Sequence, residues 1–157
     1  MAFYFGSEDG SDRTPEDSSD VGVPEKSDYQ YFKQRLHEEV LRSQRRQHAF
    51  TLLRIAIENS TRNPEELIAV IISAIREYDL VCHMQSGDYA VVLPETGEKY
   101  AEKIAGRIKQ TLTERAQERT VIELNDARIG IACFPYDGTN AEDLLISAEQ
   151  DLFHQRP

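Results

Sequence analysis

The sequence predicts an α/β (α+β) domain with an antiparallel-rich central sheet of about five strands flanked by helices. Three observations carry this. Apolar residues alternate between a four-residue repeat, which suits helices, and short runs rich in β-branched residues, which suit strands. The segments follow one another as helix, strand, helix, strand, strand, helix, strand, strand, helix. Two of the strand pairs are joined by short polar turns, and a connection that short allows only antiparallel pairing.

Taken in order, residues 1–27 carry seven acidic and two basic residues among Ser, Gly and Pro, and hold half of the chain's formal charge of −10. Such a segment cannot bury enough apolar surface to offset its ordering entropy, so a flexible acidic tail is expected, with the folded domain spanning 28–157. Its exception is Phe3-Tyr4-Phe5, an aromatic cluster able to dock on a partner or on the domain itself. Ser27 or Asp28 then caps a helix predicted to reach about Gln47, in which Phe32, Leu36 and Val40 form the buried stripe and Arg42, Arg45 and Arg46 favour its C-terminal dipole. Phe50–Ile57 reads as a strand and Asn59–Asn63 as a polar loop.

Asn63, Pro64 and the Glu65-Glu66 pair make a helix start, and Leu67, Val70, Ile71, Ala74 and Ile75 its buried face. If this helix persists to Tyr78, Arg76 and Asp79 leave one face near its end. Leu80 to Met84 and Ala90 to Leu93 are two strands around the turn Gln85 to Asp88, closed by Pro94. Thr96 is expected to cap a helix to about Ala116 on the repeat Tyr100, Ile104, Ile108, Leu112. Thr120–Leu124 and Arg128–Phe134 read as strands joined through Asn125-Asp126, and Tyr136-Asp137-Gly138 as a turn. Thr139 and Glu142 then form a capping box for a last helix whose core side is Leu144, Leu145, Ala148 and Leu152.

At 157 residues, 39% hydrophobic and 29% charged, the chain has the composition of a single globular domain. No apolar run approaches the roughly 20 residues needed to cross a bilayer, and the N-terminus lacks a signal-peptide pattern, so no membrane contact and a cytoplasmic location are expected. The acidic charge argues against a nucleic acid polymer as partner, which needs a concentrated basic surface. Cys82 and Cys133 stand inside strands without metal-ligand spacing and read as buried reduced thiols; His83 reads as a strand residue at the surface, with no second histidine spaced to share a metal.

Several of these segments share one pattern. Arg76-x-x-Asp79, a five-residue turn, the run Ala90 to Thr96 (A-V-V-L-P-E-T), then Ile129-Gly130-Ile131-Ala132, Pro135 to Gly138 and Glu142 to Ala148 together resemble the GGDEF domain of diguanylate cyclases, bacterial enzymes that join two GTP molecules into cyclic di-GMP. The resemblance runs from about Tyr31 to the C-terminus and implies a nucleotidyl-cyclase-like fold. It also implies a degenerate member. The signature turn falls on Gln85-Ser86-Gly87-Asp88-Tyr89, so Gln85 and Ser86 replace the glycines that let nucleotide approach the backbone, and Gly87 replaces the central acid. The strand carboxylate that would hold magnesium corresponds to Ala56 within Ile55-Ala56-Ile57-Glu58, and a methyl group cannot bind a metal. A substrate-holding loop of the family is largely missing between Glu58 and Pro64. Catalysis is therefore expected to be lost and no metal site or cofactor retained, with Asp88 a turn residue and Glu58 a solvated strand-end acid.

The family's second, regulatory site binds cyclic di-GMP through R-x-x-D, and the resemblance places it on Arg76 and Asp79, with Arg107 as the second arginine. An arginine fork can pair with phosphate or with guanine O6 and N7 and can stack on a base, while an aspartate can accept from guanine N1 and N2. Read alone, the same string is an ordinary solvated ion pair on a helix, and Arg107, Lys103 and Lys109 are solvent-facing residues. The expectation that follows is a cyclic di-GMP receptor that passes its signal to a protein partner, with a homodimer possible. A ligand-independent interaction or dimerisation scaffold is the alternative. Residual magnesium-dependent GTP turnover depending on Asp88 is the enzymatic one.

Overall fold

The computed structural model describes residues 3–5, 28–57, 64–119 and 127–154. Five strands form one sheet: β1 (Phe3–Phe5), β2 (Phe50–Ile57), β3 (Leu80–His83), β4 (Tyr89–Leu93) and β5 (Ala127–Phe134), in the order β1-β3-β4-β2-β5. The helices are α1 (Asp28–Arg46), α2 (Pro64–Ala74), α3 (Glu98–Arg119) and α4 (Ala141–His154). All pairings are antiparallel except β1 on β3, which is parallel with Phe3 opposite Leu80. The predicted class and hairpin hold. The sheet reaches five strands by a different route, however, because the docked Phe3–Phe5 supplies the edge, whereas the predicted strand Thr120–Leu124 lies outside the described residues. So do residues 6–27, the loop Asn59–Asn63, the cap Asn63, Glu58 and the Asn125-Asp126 connection.

Strand alternation sends side chains to two cores, one on each side of the sheet. Leu53, Ile55, Val81, Val91 and Leu93 pack with Leu67 and Ile71 of α2 and Ile104 and Ile108 of α3. On the other side Phe50, Leu52, Cys82, Val92 and Phe134 pack with Phe32 and Leu36 of α1 and Leu144 and Ala148 of α4. Among the described residues no helix is long and apolar enough to cross a membrane.

Three helix boundaries depart from expectation. The second helix stops at Ala74 instead of reaching Tyr78, so Arg76 and Asp79 sit on a turn closed by Asp79 N donating to Arg76 O at 3.1 Å. The Asp79 carboxylate accepts from Arg76 N at 2.8 Å, a local bond that competes with helix continuation. Thr96 does not cap α3: its hydroxyl donates to Pro94 O, and the first carbonyl engaged is that of Gly97, from Ala101 N at 3.0 Å. The last helix is capped one residue later than predicted. Asn140 Oδ1 accepts from Asp143 N at 2.8 Å, which leaves Glu142 to pair with Lys33 of α1 at 3.0 Å.

Candidate functional site

The end of the sheet that carries Phe50, Leu80 and Leu93 gathers the first group. There α2 ends, the chain turns through Arg76 to Asp79, and β4 leads through Pro94 and Thr96 into α3. Arg76 donates from Nε to Asp79 Oδ2 at 3.0 Å and from Nη2 to Asp79 Oδ1 at 2.9 Å, a forked pair, and Nη2 also reaches Thr96 Oγ1 at 2.6 Å. Asp79 is fully buried, and with the Arg76 backbone bond its carboxylate accepts three hydrogen bonds. Burial by itself would lower the Arg76 pKa; its hydrogen bonds and charge contact with Asp79 outweigh that and raise it, so the guanidinium is fixed as a cation.

Arg107 reaches the same place from α3. Its Nε donates at 2.8 Å to the carbonyl of Ala74, the last residue of α2, while the side chain stays exposed. A cation on the final carbonyls suits the helix dipole. The structure thus brings Arg76, Asp79 and Arg107 together around one helix terminus, although not as a helix face. Two aromatic residues join them. The Arg76 Cζ lies 4.7 Å from the centre of the Tyr78 ring and 5.6 Å from that of Tyr100, both within cation–π range. Tyr100 was expected in the core on its four-residue repeat, but it is 52% exposed, and Tyr78 is 57% exposed. In the first turn of α3, Tyr100 is directed to the α2 terminus rather than beneath the helix.

At the other end of the hairpin Met84 to Asp88 form the turn between β3 and β4. Gly87 takes φ of 95°, a left-handed conformation that a side chain resists, and its N–H donates to Met84 O at 2.9 Å. Asp88 is buried and held by Arg54 of β2, with Nε at 2.6 Å and Nη2 at 2.5 Å from Oδ2, and it also accepts from the Ser86 hydroxyl. Glu149 of α4 lies 3.7 Å from the same guanidinium. Arg54, Ser86 and Glu149 line a cavity of about 230 Å³ with Tyr29, Met84 and Gln85. Arg54 escaped the sequence reading, although a charged residue breaking the apolar run T-L-L-R-I-A-I was its signal. Asp88 is therefore more than a turn residue: it is one half of a buried ion pair. Ala56 lies two residues beyond Arg54 on β2, half-buried and opposite Arg128 of β5.

Neither cysteine offers a nucleophile. Both are buried and free; burial pushes the Cys82 thiol up to about 12, and burial likewise raises that of Cys133. His83 stacks on Tyr89 with ring centres 4.8 Å apart, and desolvation lowers its pKa below the ordinary value. Among the described residues no group of three His, Cys, Asp or Glu side chains is placed to hold a metal ion.

Residues 65–156, more than half of the chain, match the family described as diguanylate cyclase, GGDEF domain. Comparison with curated proteins finds no match. Among solved structures the fold is similar to the GGDEF domain of YfiN (TpbB) from Pseudomonas aeruginosa, with 20% identity and a TM-score of 0.65 over 79% of this chain and 86% of that one. It is similar to the active GGEEF domain of a diguanylate cyclase from Vibrio cholerae, with 15% identity and a TM-score of 0.67 over 79% and 86%. A third likeness is to the diguanylate cyclase SiaD of P. aeruginosa, solved in complex with its activator SiaC, with 21% identity and a TM-score of 0.63 over 79% of this chain and 52% of that one. At these identities the likeness is one of fold.

Proposed function

This chain belongs to the diguanylate cyclase GGDEF-domain family, and from that premise we propose that it is a non-catalytic member that acts as a receptor for cyclic di-GMP and signals to a protein partner. The observation that carries the reading is the meeting of Arg76, Asp79 and Arg107 at the end of α2, from two separate stretches of chain, the turn after α2 and helix α3. Arg107 spends only Nε on Ala74, which leaves both terminal nitrogens for a phosphate. The signature turn supports the non-catalytic half. A site for two divalent cations needs clustered, uncompensated carboxylates, and here the remaining acid, Asp88, is neutralised by Arg54 while Ala56 contributes a methyl group.

Calorimetric titration of cyclic di-GMP into the wild type and Arg107→Ala, with GTP as control, tests this. Micromolar or tighter binding, about −8 kcal/mol, weakened at least tenfold in the variant, is the expected result. Arg107 is the residue to change because removing Arg76 would strand the buried Asp79 charge and confuse lost binding with lost folding. Absence of heat at two temperatures rejects the receptor reading.

A second reading, an interaction scaffold without ligand, draws on Ile146 and Phe153 of α4. Seven residues apart, they share one helix face and are 52% and 53% exposed. A partner bound equally well with and without cyclic di-GMP would select this reading over the first.

A further inference from the structure

The Arg76 guanidinium has five N–H donors, and three are already committed: Nε and one Nη2 hydrogen to Asp79, the other Nη2 hydrogen to Thr96. Only Nη1 carries no hydrogen bond. Asp79 has no comparable remainder, being fully buried and accepting three bonds from Arg76. Withdrawing it to read a base edge would bring a fully buried carboxylate out and strip the Arg76 fork and backbone N–H of their acceptor. The surfaces that do face outward at this site are aromatic. Tyr78 and Tyr100 flank the guanidinium at 4.7 and 5.6 Å and are more than half exposed. On α3, Tyr100, Lys103 and Arg107 stand at i, i+3 and i+7, so one helix face presents an aromatic ring and two cations in a line.

From this arrangement we infer that the site takes cyclic purine dinucleotides as a class, with Tyr78 and Tyr100 as the stacking surfaces for the bases, Arg107 and the free Nη1 edge of Arg76 as the phosphate contacts, and Asp79 as a positioning residue that holds Arg76. The inference rests on the receptor reading above and narrows what the site recognises. Discrimination between guanine and adenine requires an acceptor for guanine N1 and N2, and the buried Asp79 cannot provide it. Stacking is tolerant of base identity because every purine has a π-face. The adenine and guanine dinucleotides are therefore bound with similar affinity.

The test is titration of cyclic di-GMP and, separately, cyclic di-AMP into the full chain and into Tyr78→Ala, Tyr100→Ala, Tyr78→Phe and Tyr100→Phe. Both rings are exposed, so these variants keep the fold. The expected result is wild-type affinities within about tenfold of one another, a loss of about five- to 150-fold for both ligands in each alanine variant, and recovery in the phenylalanine variants. Cyclic di-GMP favoured by more than a hundredfold, or alanine variants that bind cyclic di-GMP as the wild type does, overturns this inference and leaves the receptor reading standing. A wild type that binds neither dinucleotide overturns both.

Discussion

Arg54 illustrates how one side chain can decide what a pocket does. It sits in the middle of a strand, its side chain 6% exposed, and its charge is matched by Asp88, 10% exposed, from the neighbouring turn. A buried pair of this kind contributes little net stability compared with apolar residues of the same shape, but removing one partner leaves an uncompensated charge. Arg54→Met is therefore expected to destabilise the domain by about 3–5 kcal/mol, and adding Asp88→Asn to recover part of that loss. Urea unfolding of the two single variants and the double variant checks this; strictly additive losses would mean that the pair does not act as a unit. The residue scale is also where the sequence was least legible. R-x-x-D announced Arg76 and Asp79 by spacing, yet no spacing reveals that Asp79 is wholly buried, that Tyr100 leaves its apolar repeat, or that Arg54 finds its counter-charge 34 positions away.

Periodicity and punctuation made the elements legible: the apolar stripes of α1, α2 and α4, the glycine turn between β3 and β4, and Pro64 at the start of α2 all stand where the sequence put them. Apart from the edge strand β1, read from the sequence only as an aromatic cluster able to dock, the departures fall at helix ends, where a single side-chain hydrogen bond decides the boundary. Asp79 accepting from Arg76 N ends one helix early, and Asn140 in place of Thr139 shifts the cap of another. The packing of α4 on β5 has its own sequence mark in Gly130. A methyl group there would lie 2.1 Å from the Ala148 carbonyl oxygen and 2.7 Å from Leu152 N, both backbone atoms of α4. The strand and helix approach so closely that neither can yield without sliding the helix. Gly130→Ala is thus expected to cost about 3 kcal/mol, at the upper end for overpacking. Gly106→Ala, where nothing stands within 4 Å, is the matched control and should be neutral or stabilising. Comparable denaturation midpoints for the two variants would refute the close-packing argument.

At the scale of the molecule, the two ends of the sheet hold different chemistry, and ligand-linked stability separates them. The end with Arg76, Arg107, Tyr78 and Tyr100 offers exposed cations and rings; the turn end has Asp88 closed against Arg54 beside a cavity of about 230 Å³. A ligand that binds only the folded state stabilises it by RT ln(1 + [L]/Kd), about 2.7 kcal/mol at a hundred times Kd. For a domain of 157 residues that corresponds to a rise in Tm of about 5–10 °C. Cyclic di-GMP should produce this shift, and Arg107→Ala should reduce it without altering the Tm of the free protein by more than about 4 °C, since an exposed arginine at a helix end is worth less than 1 kcal/mol to the fold. GTP with magnesium should leave the wild type unshifted, because the remaining turn carboxylate is already paired with a guanidinium and cannot hold a cation. A magnesium-dependent shift with GTP, abolished by Asp88→Asn, would instead return the molecule to the enzymatic reading, with Arg54 yielding its partner to the metal.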